Sequence, residues 1–262
     1  MSQNLSLGDR MKLYEEATRY VLPPRCFSFI RVDGKSFSNF TKKFKRPFDD
    51  NFVNMMNQAA IALCEGAQGS KIGFVQSDEI TVVLTDFEEI NTGRWFDGVI
   101  QKICSNSASI VTERFNRAFY TYLVEKYVEE IDPHSAMDYP IRMKDVLKLL
   151  KTEGAKFDSR VFYIPSPTDT INNLVWRQQD ATRNSISAVA RSLYSHSELN
   201  GKNGSQKQEM IFQKGQNWDK YPVGVKRGRV IKRGEDGKWT VVEPPIFSQD
   251  WDFLTNIIPT YK

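Results

Sequence analysis

The chain has few of the residues that build metal centres from nitrogen and sulfur ligands. It contains three cysteines and two histidines among 262 residues, with no C-x-x-C pair. Cys26, Cys64 and Cys104 are odd in number and far apart, which disfavours a disulfide framework and a structural zinc site. His134 and His196 lie in different regions. A catalytic triad or a histidine-rich metal site therefore has few candidates, and carboxylates are the better place to look for chemistry.

Long apolar runs are also missing. No run approaches the ~18 apolar residues of a membrane helix, and the amino-terminal stretch MSQNLSLGDRMKLYEE lacks the apolar segment of a secretory signal. With 40% hydrophobic and 26% charged residues, the composition is that of a globular protein with its own core. We therefore expect a cytoplasmic protein with no membrane partner.

The net charge of +4 is unevenly distributed. Residues 201–240 carry ten Lys/Arg and four Asp/Glu, so the rest of the chain is slightly acidic. Such a basic segment indicates a polyanionic partner, although a solvated lysine-rich loop would have the same composition.

Strand-like and helix-like patterns predict an α+β fold. They occur in the order strand (CFSFIRVDG), helix (Asp50 to Glu65), strand-turn-strand (Ile72–Val75 and Ile80–Thr85), helix (95–130) and strand (FDSRVFYIPS). This order predicts a βαββαβ antiparallel sheet with helices packed on one face.

The other segments are assigned by the same criteria. An amino-terminal helix before Pro23-Pro24 is expected to dock on the body, a loop is expected around Pro133–Pro140, and a long helix from about Asp169 to Tyr194. Gly201–Gln208 resembles a flexible connection, and residues 225–242 a hairpin. We expect a main domain over 1–195 and a basic carboxy-terminal extension over 196–262 that contains the hairpin and packs on the same core.

The carboxylates of Asp33, Asp78 and Glu79 are the strongest chemical candidates. Asp33-Gly34 ends the first strand, and Asp78 and Glu79 lie at the turn of the following hairpin. Neighbouring strands would bring them together, and two carboxylates with the Gly34 carbonyl suffice for magnesium, which keeps water and phosphate ligands. A pair of such ions supports phosphoryl transfer. The alternative is that both segments are ordinary polar turns.

Six stretches carry a resemblance to a known family: FIRVDGKSFSNFTKKF, RPFDD, GFVQSDEITVVL, FDSRVFYIPS, WRQQDATRNSISAVAR and VKRGRVIKR. In this order and spacing they closely resemble the tRNA-His guanylyltransferase family, over about residues 8 to 233. The resemblance implies that residues 1–195 form a palm-like catalytic domain, as in polymerase and nucleotide cyclase palms. It implies an enzyme that adds nucleotides to a tRNA 5′ end in the 3′-to-5′ direction, after activation of the 5′ phosphate by ATP or GTP. It also implies a homotetramer built as a dimer of dimers.

The resemblance also implies roles for individual residues. Asp33, Asp78 and the Gly34 carbonyl correspond to the ligands of two Mg²⁺ ions, with Glu79 as a further catalytic carboxylate. The implied nucleotide contacts are Asp33, Gly34, Lys35, Ser36, Phe37, Ser38, Ser77 and Asp78. The phosphate or tRNA contacts expected from charge and position are Arg31, Lys43, Arg46, Lys102, Arg177, Arg183, Asn184, Lys226, Arg227 and Arg229.

One departure from the family's pattern bears on the substrate. After W-R-Q-x-D-x the eukaryotic tRNA-His enzymes continue H-I-N-N-L-Y-N, with a histidine that serves anticodon recognition, whereas this chain has Thr182 there. That difference resembles the Thg1-like branch, whose members repair truncated tRNA 5′ ends against the acceptor-stem template. Addition of the extra 5′ guanylate to tRNA-His, a non-catalytic RNA-binding module and a magnesium-dependent nucleotide cyclase are the alternatives.

Overall fold

Strands and helices alternate through the computed structural model, which describes residues 5–130 and 143–260. The loop expected around Pro133–Pro140 lies outside the described residues. The strands are β1 (Phe27–Gly34), β2 (Ser70–Gln76), β3 (Glu79–Leu84), β4 (Phe157–Ile164), β5 (Arg229–Arg233) and β6 (Trp239–Val242). The helices are α1 (Leu7–Glu16), α2 (Phe37–Phe40), α3 (Asp50–Gly66), α4 (Ile100–Glu130), α5 (Met143–Leu150), α6 (Pro167–Leu193), α7 (His196–Leu199), α8 (Gly204–Gln213), α9 (Val223–Arg227) and α10 (Trp251–Thr255).

All six strands form one antiparallel sheet in the order β4-β1-β3-β2-β5-β6. The first four strands follow the predicted βαββαβ order, so the predicted α+β fold with an antiparallel sheet is confirmed. In β1, Asp33 is paired with Glu79 of β3 and with Asp158 of β4. Strands β2 and β3 are joined by the tight turn Ser77-Asp78. This register brings the end of β1 beside the hairpin turn.

Helices cover both faces of the sheet, which corrects the prediction that they pack on one. Along β1, Ile30 and Val32 face a core shared with α3 and α4, whereas Phe27 and Phe29 face a second core built with α6 and residues 247–258. Every residue of β3 is buried. Because a strand buried on both faces carries apolar residues on both of them, its sequence does not show whether helices cover one face or two.

The carboxy-terminal region completes this sheet rather than standing apart from it. Val230 and Ile231 of β5 are fully buried, one in each core. Two local predictions were wrong. Asn203 caps α8 through reciprocal hydrogen bonds with Gln206, so the expected flexible connection ends in a helix. Helix α9 occupies the start of the expected hairpin, and β5 begins after it.

The amino-terminal helix differs from its prediction. Helix α1 ends at Glu16, and none of its residues is buried, so the expected docking on the body is not present. Its first turn is held by Ser6, whose hydroxyl accepts a hydrogen bond from the Asp9 amide at 3.1 Å. Within the described ranges, no helix combines the length and the apolar character needed to cross a membrane.

Candidate active site

Asp33 and Asp78 line a cavity of about 690 Å³ between the sheet and α6. The Gly34 amide donates a hydrogen bond to the Asp78 carbonyl at 3.1 Å, which fixes the end of β1 to the hairpin turn. Gly34 is required by close packing, since a Cβ atom here would lie 2.2 Å from the Phe37 ring. Ser77 adopts a positive φ of 46° that closes the turn. Local backbone geometry thus brings the two carboxylates to one wall.

Within the described ranges, these two carboxylates have no cationic partner. No Lys, Arg or His in the described ranges forms an ion pair with Asp33 or Asp78. Burial raises the pKa of Asp78, and the nearby charges of Asp33 and Glu79 raise it further, against hydrogen bonds from its own amide and from Ser77. A bound cation would relieve this accumulated negative charge.

The donor set fits magnesium. No group of three or more His, Cys, Asp or Glu residues within the described part of the chain forms a complete metal site. Two carboxylates and a backbone carbonyl are nevertheless suited to Mg²⁺, which is usually held by one or two carboxylates together with water and substrate phosphates. Asp33, Asp78 and the Gly34 carbonyl are the residues that would hold it.

Glu79 has a different environment from the two aspartates. Its side chain is 7% exposed and lies between two arginines: Arg31 hydrogen bonds to Oε2, and Arg177 Nε lies 3.0 Å from Oε1. Arg177 continues to Asp180 at 2.7 Å, and Asp180 to Arg183 at 3.1 Å. Burial raises the pKa of Glu79 and the two arginines oppose that rise. This alternating chain of charges joins the central strands to α6.

The cavity wall also carries cations that lack a carboxylate partner among the residues the structure describes. Lys45 and Arg46 lie in the segment before α3, Arg191 near the end of α6, and Arg229 at the start of β5. No ion pair involves any of them within the described residues. Asp49, which also lines the cavity, accepts hydrogen bonds from the first amides of α3. The cavity is therefore lined by both carboxylates and cations that form no ion pair among the residues described.

Comparison with known proteins identifies the family. The family model for tRNA-His guanylyltransferase (Thg1) matches residues 8–165, more than half of the chain. The chain belongs to the Thg1 family. It is accordingly a nucleotidyltransferase of that family. The yeast Saccharomyces cerevisiae tRNA(His) guanylyltransferase is 25% identical over 230 residues, covering 82% of this chain and 86% of that protein.

Two solved structures extend the comparison over nearly the whole chain. A bacterial Thg1-like protein in complex with ATP is 34% identical, with a TM-score of 0.83 and coverage of 97% of this chain and 100% of that one. The yeast enzyme's crystal structure is 22% identical, with a TM-score of 0.64 and coverage of 91% and 97%, which supports the Thg1 fold alone.

The expected nucleotide-contacting residues divide into two groups. Asp33, Ser38, Ser77 and Asp78 line the cavity. Phe37 does not line the cavity with its ring, so a nucleotide contact of this residue stays a prediction that concerns its backbone. The ring is 4% exposed and packs in an aromatic cluster, with its centroid 4.9 Å from that of Phe157 and 5.8 Å from that of Phe115. Gly34, Lys35 and Ser36 lie outside the cavity wall, in the segment that leads from β1 to α2.

The expected phosphate or tRNA contacts divide in the same way. Arg31, Arg46, Asn184 and Arg229 line the cavity. Four others lie outside its wall. Lys102 and Arg183 are exposed. Lys43 Nζ is 4.0 Å from the Phe40 ring centroid, and the Arg227 guanidinium is 6.0 Å from the Trp218 ring centroid.

Two of these expected contacts are corrected by burial. Arg177 is 3% exposed, and its donors face Glu79 and Asp180. Lys226 is 5% exposed, and its Nζ donates to the Asp219 carboxylate at 2.9 Å. Each charge is neutralised within the protein, so neither side chain is free to bind a phosphate.

Sequence reasoning missed several residues of the Thg1 cavity. On α6, Asp180, Ala188 and Arg191 line it beside Asn184, the one residue of this face that was expected to make a contact. Their spacing of four, four and three positions is that of one helical face, and this pattern could have identified them. Gln76, buried at the end of β2, also lines the cavity, and its carbonyl oxygen lies 3.5 Å from the Asn184 amide nitrogen.

Proposed function

We propose that this Thg1-family protein is a template-dependent 3′-to-5′ nucleotidyltransferase that adds nucleotides to the 5′ end of truncated tRNA. The observation that carries the proposal is the charge that lines one cavity: carboxylates of Asp33 and Asp78 together with the cations Lys45, Arg46 and Arg191, none of which forms an ion pair within the described residues. A metal-bound polyphosphate is complementary to this arrangement, because carboxylates hold the cation and arginines the phosphate oxygens.

The proposed reaction has two displacements. A tRNA 5′-phosphate oxygen attacks the α-phosphorus of ATP or GTP, and pyrophosphate leaves. The 3′-hydroxyl of the incoming nucleotide then attacks the activated 5′ phosphorus, its proton passes to solvent, and the nucleoside monophosphate leaves. Two Mg²⁺ ions held by Asp33, Asp78 and the Gly34 carbonyl, when bound, supply charge neutralisation and lower the pKa of the attacking hydroxyl. Glu79 orients Arg31 toward the cavity.

Two observations favour repair over guanylate addition to tRNA-His. Thr182 replaces the histidine of the tRNA-His enzymes, and its hydroxyl donates to the Gln178 carbonyl at 3.0 Å within α6. The chain is also more similar to the bacterial Thg1-like protein, at 34% identity, than to the yeast enzyme, at 22%. Guanylate addition to tRNA-His remains the second candidate on family membership.

The proposal extends to the RNA partner and to assembly. Lys232 and Arg233 of β5 follow the cavity residue Arg229 along the chain. They would contact acceptor-stem phosphates, so tRNA binding should weaken as salt rises. A homotetramer stays a prediction, which sedimentation equilibrium would test.

The test compares two substrates under matched conditions. Wild-type protein, Mg²⁺, ATP and labelled nucleotides are incubated with tRNAs that lack one 5′ nucleotide and, separately, with full-length tRNA-His. We expect extension of the truncated tRNAs to be at least as efficient, and none in an Asp78→Asn variant. Preference for full-length tRNA-His by an order of magnitude would instead establish guanylate addition.

A further inference from the structure

Arg229 is a buried cation in the cavity wall with only neutral partners. It is 6% exposed, its Nε donates to the Asn57 side-chain oxygen at 2.6 Å, and its Nη1 donates to the Gly224 carbonyl at 3.0 Å. Its Nη2 has no hydrogen-bond partner in the described ranges. Hydrogen bonds from two of the three guanidinium nitrogens therefore fix its position, and the third nitrogen, Nη2, keeps its donors for a ligand.

The other buried basic side chains are neutralised, whereas Arg229 is not. Arg177 is paired with Glu79 and Asp180, and Lys226 with Asp219. No Asp or Glu of the described part of the chain forms an ion pair with Arg229, and desolvation alone lowers its pKa to about 10. Burying an unpaired charge is costly, and a counter-ion that enters from outside recovers that cost.

The backbone around Arg229 is shaped to enclose it. A Cβ atom on Gly224 would lie 2.9 Å from Arg229 Cγ, so the absence of a side chain there makes room for the arginine. Gly228 has a φ of +82°, and a Cβ atom on it would lie 2.4 Å from the Phe74 ring. Both glycines line the same cavity. The arginine is thus held at a defined place in the wall.

We propose that Arg229 anchors a phosphate group of a bound substrate, which supplies the missing counter-ion; this rests on the proposed function and identifies a specific residue for it. The ligand chemistry follows from the surroundings. Lys45, Arg46 and Arg191 line the same cavity without carboxylate partners, which favours a multiply charged anion. A guanidinium with free donors matches the oxygens of a phosphate.

Arg229 differs from these neighbouring cations in its burial. Lys45, Arg46 and Arg191 are exposed, and water and salt screen their attraction to a ligand. Removing one partner of a buried, hydrogen-bonded charge pair weakens binding far more than removing an exposed one. The phosphate belongs either to the nucleoside triphosphate or to the tRNA 5′ end, and the two sources are separable by experiment.

The experiment measures binding without turnover. Dissociation constants are determined by equilibrium dialysis with Mg²⁺ for ATP, GTP and adenosine, and by filter binding for 5′-phosphorylated and 5′-hydroxyl tRNA. The two phosphate arms of the experiment are the triphosphates, compared with adenosine, and the 5′-phosphorylated tRNA, compared with 5′-hydroxyl tRNA. For Arg229→Gln we expect at least about thirtyfold weaker binding in one of these arms. Adenosine and 5′-hydroxyl tRNA should bind as to the wild type. The arm that changes identifies the source of the phosphate.

Two further variants keep the proposal falsifiable. Lys226→Gln removes an equally buried cation that is already paired, and should leave every dissociation constant within about twofold. Arg229→Lys keeps the positive charge but loses the planar pair of guanidinium donors, and it replaces the glutamine variant if that variant does not fold. We expect about tenfold weaker phosphate binding for Arg229→Lys. Wild-type affinity of either Arg229 variant in both phosphate arms, or equal losses with adenosine, would overturn the proposal. Failure to extend tRNA would refute the proposed function without changing these constants.

Discussion

Glu79→Gln tests whether Glu79 serves mainly as the counter-ion of two arginines. Removing one partner of a buried ion pair costs about 3–5 kcal/mol. Because Arg177 keeps Asp180 and the Arg31 side chain is 23% exposed, we expect a smaller loss here, of about 2–4 kcal/mol. For a chain of this size each kcal/mol corresponds to about 2–4 °C in the melting temperature. The melting temperature should therefore fall by roughly 5–15 °C.

The measurement is thermal and urea unfolding of the magnesium-free protein. The matched control is Glu113→Gln, which breaks the i,i+4 pair with Arg117 on α4, where both side chains are more than half exposed, at 56% and 66%. That change should cost under about 0.5 kcal/mol. If Glu79 instead acted only as a metal ligand, its neutralisation would remove repulsion with Asp78 and would stabilise the metal-free protein. Unchanged or increased stability of Glu79→Gln would refute the counter-ion role.

Two further predictions concern the carboxylate wall and its backbone. The raised pKa of Asp78 means that the folded state binds its proton more tightly than the unfolded state, so this group's contribution to the free energy of unfolding falls as pH rises above the ordinary value of 3.8. In EDTA, Asp78→Asn should therefore be more stable than wild type at pH 7, and the difference should shrink toward pH 4. Urea unfolding at both pH values measures this difference. A variant that is no more stable than wild type at pH 7 would contradict the prediction. Gly34→Ala should lower the free energy of unfolding by about 1–3 kcal/mol, because the added methyl group overlaps the Phe37 ring. The control is Gly204→Ala, whose methyl group meets nothing within 4 Å and should not destabilise the protein. Equal melting temperatures for the two variants would contradict this role of Gly34.

The sequence predicted the carboxylate wall because local patterns define it. The alternation through CFSFIRVDG places Asp33 at a strand end, and the polar tetrad between two apolar runs places Asp78 at a turn. An antiparallel sheet then leaves few ways to arrange them. The register that pairs Asp33 with Glu79 confirms this expectation of proximity.

The partners of the arginines could not be predicted, because they depend on contacts between distant segments. Glu79 and Arg177 are separated by 98 positions, and Arg229 and Asn57 by 172. Neither pair leaves a periodic trace in the sequence. In VKRGRVIKR the basic residues look equivalent, yet Lys226 is paired with Asp219, Arg229 lines the cavity, and Arg233 is exposed. Tertiary packing of β5 against β2 and α3 makes that distinction.

Templated addition at the tRNA 5′ end is tested by the identity of the nucleotide that the protein adds. Two tRNAs are prepared that each lack the first 5′ nucleotide and differ only in the acceptor-stem nucleotide opposite the gap. The nucleotide incorporated is identified by sequencing the product after incubation with ATP, Mg²⁺ and all four nucleoside triphosphates. We predict that the added nucleotide changes with its opposing partner and that Asp33→Asn adds none. Addition of guanylate to both substrates, or extension by the Asp33→Asn variant, would contradict the account.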